Sequence, residues 1–456
     1  MGKRKENDLL DSRQIGISPE GAKVDAADAA RIEVGRMVES GRSSPLANFV
    51  WLTAERGWRV LLGLGVNVAV ARHLGPGDFG RLNYALGLTA ICWTLGGLGI
   101  DDVLARELVR NRQKAPALFA AGLRLKAAGA LVAFALLLAA AGWSAGDGSV
   151  VVLAGAALFF LPLDSVDVWF QAREKMRPPV LARQSALLAA TLLRLLLVGM
   201  KAPLWAFAVA YMCEALLIAL ALGCLFVRDA GWPDWKGVRG IRARELLAEG
   251  WPLLASGAAV IVSLQADRLL LRWLAGEAAV GVYSAAARFT EALYVLPVAV
   301  GTVLLPRLTA LRQSDEAAYW RTAARTGWLL FGAAGILSAA LSLGGYVLLP
   351  RLLGASYTAS GGVLAIHGWC LVFIALVSLR SRLLIIEGRS RWVLAMAAAT
   401  TVLNLLVSLW LIPRWGAAGA AWANVGAWAC SALLMPWLWP GPRSFMRAWC
   451  GLANRA

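Results

Sequence analysis

Two histidines and six cysteines are all that 456 residues offer for soft metal or thiol chemistry. The cysteines Cys92, Cys213, Cys224, Cys370, Cys430 and Cys450 form no CxxC pair, and five of them fall inside apolar runs. Neither a metal centre nor a disulfide framework is expected, and His73 and His367 read as surface or packing residues. No GxxxxGK[ST] loop is present, so direct ATP hydrolysis has no machinery. A Ser/His/Asp set and a catalytic carboxylate pair on a sizeable outer loop are also missing, which argues against a membrane polymerase or ligase. No cleavable signal peptide is visible at the amino end. Charge is scarce at 16% of residues, and acids are outnumbered 28 to 45.

What is abundant is apolar sequence. Hydrophobic residues make up 59% of the chain, and its mean hydropathy is +0.63. The runs are about 20 residues long and do not alternate, which fits membrane-spanning helices and excludes a barrel. Twelve spans are expected. The first six are Phe49–Ala71, Leu82–Val103, Leu118–Trp143, Val150–Phe170, Leu181–Met200 and Leu204–Val227. The other six are Trp251–Leu274, Val280–Leu305, Thr326–Leu349, Val363–Ile386, Val393–Ile412 and Ala417–Trp439. The net charge of +17 follows from the loops and implies no nucleic-acid partner. Alternate connections hold most of the Lys and Arg, among them Arg106, Arg112, Arg173, Arg183, Arg228, Arg244, Arg312, Arg325, Arg389 and Arg447. The remaining connections hold only Arg72, Arg81, Lys201, Arg268, Arg272, Arg351 and Arg414. By the positive-inside rule both termini are expected in the cytoplasm.

The chain also repeats. ARHLGPGDFGRLNYA (71–85) resembles LRWLAGEAAVGVYSAA (271–286), with Arg72, Leu74 and Gly80 matching Arg272, Leu274 and Gly281. Leu193, Leu196, Pro203, Trp205 and Ala208 match Leu403, Leu406, Pro413, Trp415 and Ala418 at one constant offset. The expected fold is therefore an all-α polytopic membrane protein, with twelve transmembrane helices in two pseudo-symmetric six-helix bundles around a central cavity. The divisions are a polar cytoplasmic tail (1–48), a first bundle (49–227), a cytoplasmic linker (228–250), a second bundle (251–439) and a cytoplasmic tail (440–456).

The stretches ARHLGPGDFGRLNYAL, GLGIDDVLARELVR, QADRLLLRWL, GVYSAAARFTEALYVLP, LLPRL and NLLVSLWLIPRWGAAGAAWA resemble the Wzx-type polysaccharide flippases of the multidrug/oligosaccharidyl-lipid/polysaccharide exporter superfamily. The resemblance runs from about Phe49 to Trp439. It implies translocation of undecaprenyl-pyrophosphate-linked oligosaccharide repeat units for O-antigen, capsule or exopolysaccharide assembly. It implies no cofactor, coupling to an H+ or Na+ gradient, and work beside polymerase and chain-length machinery by a functional monomer in the lipid bilayer. The spacing of Arg288 and Glu291 also resembles the lipid II flippase branch. The alternative within the superfamily is a multidrug exporter, which would favour acidic groups against cationic drugs.

Ionisable residues inside spans are costly and are candidates for function. Arg56 and Arg59 share a face of span 1 and would form a cationic wall for a diphosphate; Arg288 and Glu291 approach the midplane on span 8. These four are the expected substrate-binding residues. Candidates for gating or coupling are Asp267, Arg268, Arg194, Glu214, Asp164 and Asp167; Arg194 and Glu214, on consecutive helices at like depth, can pair, as can Arg288 and Glu291 one turn apart. Asp164 and Asp167 are expected to pair with Arg173 or Lys175 at a wet helix end. Asp267 and Arg268 are expected near the outer mouth, with Arg272 as an interfacial anchor. Most of the tryptophans, 21 in all, suit interfacial anchoring or packing.

Overall fold

The computed structural model describes residues 45–142, 148–233, 235, 237–240, 243–438 and 440–449, with the backbone alone for 45–59, 61, 239, 240, 298, 302, 440–442, 444 and 448. The side chains of Arg56 and Arg59 lie outside the described residues. Val60–Ala456 is one compact unit, and the contacts below belong to it.

Every described element is helical. The order is α1 Pro45–Gly96, α2 Asp101–Arg110, α3 Ala115–Gly142, α4 Gly148–Gly155, a 3-10 segment Ala156–Ser165, α5 Val166–Ala172, α6 Arg177–Gly199 and α7 Leu204–Ala230. Then come α8 Ala243–Leu274, α9 Glu277–Leu293, α10 Val295–Ser314, α11 Glu316–Leu353, α12 Thr358–His367, α13 Cys370–Ile386 and α14 Ser390–Ala429. A π turn Cys430–Leu434, α15 Met435–Leu438 and α16 Pro440–Trp449 end the described chain. Among the described residues, ten helical runs are long and apolar enough to cross a membrane.

Ten is a minimum. The run Ser390–Leu438 is broken at Gly416, whose φ of 53° and ψ of −129° are not helical. Asn404 and Asn424 lie on either side of that break and would be roughly 30 Å apart in a straight helix. Both donate to the same Asp267 carboxylate, so the run folds back at Gly416 and makes two passes. The run Leu62–Arg110 is likewise interrupted, at Gly75.

Glycines make the turns at one end of the molecule. Gly75 (φ 73°, ψ 172°), Gly276 (φ 86°, ψ 179°) and Gly354 (φ 99°, ψ 169°) share a backbone conformation that is essentially closed to other residues. Each follows Arg72, Arg272 or Arg351 within one helical turn. The Tyr357 hydroxyl donates to the Ala71 carbonyl (2.9 Å) and His73 meets the Ala202 carbonyl (2.8 Å), gathering these turns at one side.

The matched glycines of the repeat lie against each other there. A Cβ at Gly80 would overlap the Glu277 carbonyl, and a Cβ at Gly281 would overlap the Pro76 carbonyl. Pro76 and Glu277 begin the helical segments that carry Gly80 and Gly281, so each segment packs its first turn on the other's glycine. Absence of a side chain permits this approach of two backbones. A second close approach lies at the opposite, Arg-rich side. Gly99 (φ 64°) sits against Gly250 and Leu254 of α8, and Arg106 pairs with Glu249.

The tail beyond α15 is ordered for one helix. Phe445, Met446 and Trp449 of α16 are buried against α11 and α13, with the Trp449 ring 4.8 Å from that of Trp328. Arg443 and Arg447 remain exposed.

Candidate functional site

α8 carries six mostly apolar turns and then buries two charges side by side. Asp267 and Arg268 are each 4% exposed. Both side chains of the pair expected near the outer mouth are thus buried in protein. Successive residues on a helix point in different directions, so the two groups have different partners.

Asp267 is held by neutral donors. Asn404 donates to Oδ1 at 3.0 Å, and Asn424 and the Tyr283 hydroxyl (3.0 Å) both donate to Oδ2. Asn424 also donates to the Tyr283 oxygen (3.0 Å), which lies 3.3 Å from His367 Nε2. Tyr283 gives its own proton to Asp267, so His367 completes the set as the Nε2–H donor. That leaves His367 Nδ1 and Asn404 Oδ1 buried without a protein partner. A cavity of about 40 Å³ lies beside them, lined in part by Ser263, Tyr294 and Thr400. One water or one small cation fits such a space.

Arg268 reaches the other way. Its guanidinium donates to Glu291 (2.6 Å) and to Gln265 Oε1 (2.7 Å). Glu291 also lies 3.8 Å from Arg288, one turn earlier on α9. The expected Arg288–Glu291 pair is present, but Arg268 holds the carboxylate more closely. Arg288 in turn donates to Asn83 of α1 (3.3 Å), and its side chain is 35% exposed. Arg288 borders a small gap lined by Leu64, Asn67 and Phe79 of α1 and by Leu353. Arg272 is paired with Glu277 at 3.0 Å, and Arg81 lies 3.9 Å from the same carboxylate.

The first half of the chain has its own buried charges. Arg194 pairs with Glu214 as expected, and its guanidinium sits 3.8 Å from the centre of the Tyr211 ring. Asp164 and Asp167 do not pair with Arg173 or Lys175. Arg183 of α6 bridges the two acids instead, at 2.7 Å from Asp167. Arg173 and Lys175 are taken by Asp229 at the end of α7, which also accepts from the Trp169 indole (3.1 Å). The end of α7 lies beside the α5 terminus, while the Arg183 side chain reaches from α6 to Asp164 on the 3-10 segment and Asp167 on α5. A cavity of about 150 Å³ joins Asp164 and Arg183 to Tyr211 and Glu214.

Sequence reasoning missed Gln265, Tyr283, His367, Asn404 and Asn424. A signal for two of them was present. At the offset that matches Pro203 to Pro413, Arg194 corresponds to Asn404 and Glu214 to Asn424. The positions of the first-half ion pair are thus the positions that serve Asp267 in the second half.

With this geometry in hand, comparison with known proteins decides the family. The model of the family described as "Polysaccharide biosynthesis protein" matches residues 46–312, more than half of the chain. The chain belongs to this family. A second model, "Lipid II flippase MurJ", matches residues 185–441. Among solved structures, the lipid II flippase MurJ in an inward closed conformation superposes with a TM-score of 0.71 at 14% identity, covering 89% of this chain and 91% of that one. An inward-facing multidrug resistance MATE transporter of the MOP superfamily gives 0.68 at 16% identity, covering 87% and 96%. A MOP superfamily transporter from Pyrococcus furiosus, described as having a binding pocket of reverse polarity, gives 0.57 at 16% identity, covering 89% and 97%. No curated protein matches by sequence. At these identities the structural likeness establishes the fold. The protein is a multi-pass membrane protein of the polysaccharide biosynthesis family with the fold of these transporters.

Proposed function

We propose that the protein flips polyprenyl-pyrophosphate-linked oligosaccharide repeat units across the bacterial inner membrane, for assembly of a surface polysaccharide. The observation that carries this reading is Arg288, a partly exposed guanidinium on α9 that reaches Asn83 on α1 and shares Glu291 with Arg268. A diphosphate needs a cation inside the membrane, and Glu291 can release Arg288 because Arg268 still neutralises it. From the sequence, Arg56 and Arg59 are expected to serve the same diphosphate. The two halves, 49–227 and 251–439 joined by 228–250, would rock about the fixed site with both termini in the cytoplasm. The glycine contact Gly80–Gly281 and the contact Gly99–Gly250 would be the two seals that open in turn. Export of cationic amphiphiles fits less well, because two arginines, Arg268 and Arg288, meet the one carboxylate Glu291.

The driving force would enter at Asp267. A buried carboxylate held by neutral donors, with an unpartnered Asn404 oxygen and a small cavity beside it, suits a proton or a sodium ion. Polymerase and chain-length proteins would receive the product, and one copy of the chain would suffice for transport.

The test is accumulation of lipid-linked oligosaccharide in the inner leaflet of cells lacking the protein, and its rescue by variants. Arg288→Ala is expected to reach the membrane at normal abundance yet leave repeat units inside. Full export by a folded Arg59→Ala/Arg288→Ala double variant would sink the cationic-cavity mechanism.

A further inference from the structure

One side of the first half carries a groove that none of the transport chemistry uses. Its volume is about 800 Å³. The walls are Phe119, Leu123 and Ala127 on α3, Pro162 and Leu163 on the 3-10 segment with Val166 on α5, and Leu220, Gly223 and Val227 on α7. It exists for local reasons. The 3-10 winding of 156–165 is narrower than an α-helix and carries Pro162, so that wall is thin. Facing it, Gly223 offers no side chain, and a Cβ there would meet Leu163 only at 3.9 Å. The floor is rigid. Phe119 stacks on Phe226 at 4.4 Å, and Trp169 closes the cluster at 5.1–5.3 Å from both.

The rim differs from the walls. Arg124 and Arg228 line the groove and are exposed, and neither meets a carboxylate among the described residues. Trp232 (82% exposed) and Trp235 stand on the connection after α7 at the same rim. Indoles of this kind sit at the depth of lipid headgroups. Beyond the aromatic floor, Arg112, Arg173 and Lys175 line a further cavity with Trp169. The arrangement is an apolar slot whose Arg-rich end faces one membrane interface.

We propose that this groove is a binding site for an anionic glycerophospholipid of the bilayer, with an acyl chain along α3 and α7 and the phosphate between Arg124 and Arg228. Charge complementarity selects the anion, and the length of apolar wall selects a chain-bearing one over free phosphate. A resident lipid fits better than the transported one, because every lining residue lies between Phe119 and Trp235, in the first bundle and the start of the linker, and none in the second bundle. A substrate that crosses between the halves would have to leave the groove sideways. The bound lipid also has a structural consequence. Leu163 and Val166 face it, while Asp164 and Asp167 between and beside them are bridged to Arg183. Occupancy therefore braces the thin wall that positions this acid pair.

The experiment is native mass spectrometry of the purified full-length protein through graded delipidation, with phosphatidylglycerol and phosphatidylcholine added back as probes. Wild type is expected to retain phosphatidylglycerol in preference to phosphatidylcholine. Arg124→Gln/Arg228→Gln is expected to weaken that retention roughly 25-fold, the effect of two interfacial cations. Gly223→Leu fills the slot and is expected to displace the lipid with both arginines in place. The charge variant alters no packing, so it remains informative if Gly223→Leu fails to fold. Equal retention of both phospholipids by wild type overturns the proposal, as does unchanged retention by the charge variant. A folded Gly223→Leu that keeps its phosphatidylglycerol reduces the site to surface charge and overturns the groove. Recovery of a polyprenyl phosphate lipid in place of a phospholipid overturns the choice of occupant. None of these outcomes depends on transport, so they stand apart from the flippase reading.

Discussion

Three positions in the first half correspond to three in the second, with opposite solutions. Asn67, Arg194 and Glu214 match Asp267, Asn404 and Asn424. In the first half the arginine and glutamate neutralise each other, and among the described residues Asn67 bonds only to the Gly63 carbonyl of its own helix (2.7 Å). In the second half the two charges of the pair are replaced by amides, and the charge moves to α8. The first arrangement sums to zero charge and has no reason to exchange an ion. The second buries a carboxylate with no ion-pair partner among the described residues, a charge that a small cation can neutralise. On the proposed reading, the duplicated framework keeps a structural pair in one half and opens the same site to coupling in the other.

That contrast can be broken most sharply in the first half. Removing one member of a buried pair leaves an uncompensated charge and costs about 3–5 kcal/mol, whereas replacing both with apolar residues is close to neutral. Arg194→Met and Glu214→Leu are each expected to lower the thermal unfolding temperature of the purified protein, and the double variant is expected to restore most of it together with export. Failure of export in a stable double variant would move this pair from structure to mechanism.

In the second half the expectation reverses. Asp267→Leu leaves Asn404, Asn424 and Tyr283 with unmet donors, at about 1–3 kcal/mol for each buried group left unsatisfied. Asp267→Asn keeps the shape and most of the stability but removes the charge. Export is expected to be lost in Asp267→Asn despite normal folding, measured by leaflet-resolved accumulation of lipid-linked oligosaccharide under an imposed ion gradient. Gradient-dependent export by this variant would remove Asp267 from coupling.

How much of this was legible in the sequence follows the same division. Helical class, repeat and span positions were readable because apolar run length and positive charge are properties of single segments. The Arg194–Glu214 pair was readable too, since two opposite charges on consecutive helices leave few other partners. The Asp267 site was not. Its donors Asn404, Asn424, Tyr283 and His367 are neutral residues on three other helices, and no local spacing links them. Arg183 escaped for a related reason. It belongs by sequence to the loop charges, yet its long side chain reaches across to Asp164 and Asp167. Long-range closure between helices decides such partners, and periodicity is silent about it.

The seals between the halves give a smaller contrast of the same kind. At the Gly80–Gly281 contact, backbone meets backbone, so a side chain has nowhere to go. Gly80→Val is expected to cost the closed seal about 1–3 kcal/mol, typical of overpacking. Cysteines placed at Pro76 and Glu277 should then lose most of their cross-linking. Retained cross-linking in Gly80→Val would show that the seam is not tight.

The Gly99–Gly250 side is buttressed by an ion pair in addition to close backbone, and its response should be the weakest. Arg106 and Glu249 are 60% and 54% exposed, so water screens the pair and its worth is about 0–1 kcal/mol. Such an energy is too small to alter folding but large enough to bias two nearly balanced conformations by up to about fivefold. Arg106→Ala is therefore expected to leave thermal stability unchanged while raising the accessibility of a cysteine at Leu254 to a membrane-impermeant thiol reagent. The charge-swapped Arg106→Glu/Glu249→Arg variant should bring accessibility back down, and high salt should mimic Arg106→Ala in wild type. If neither salt nor the swap moves accessibility, the pair plays no part in the seal, and Gly99 against Gly250 and Leu254 holds that side alone.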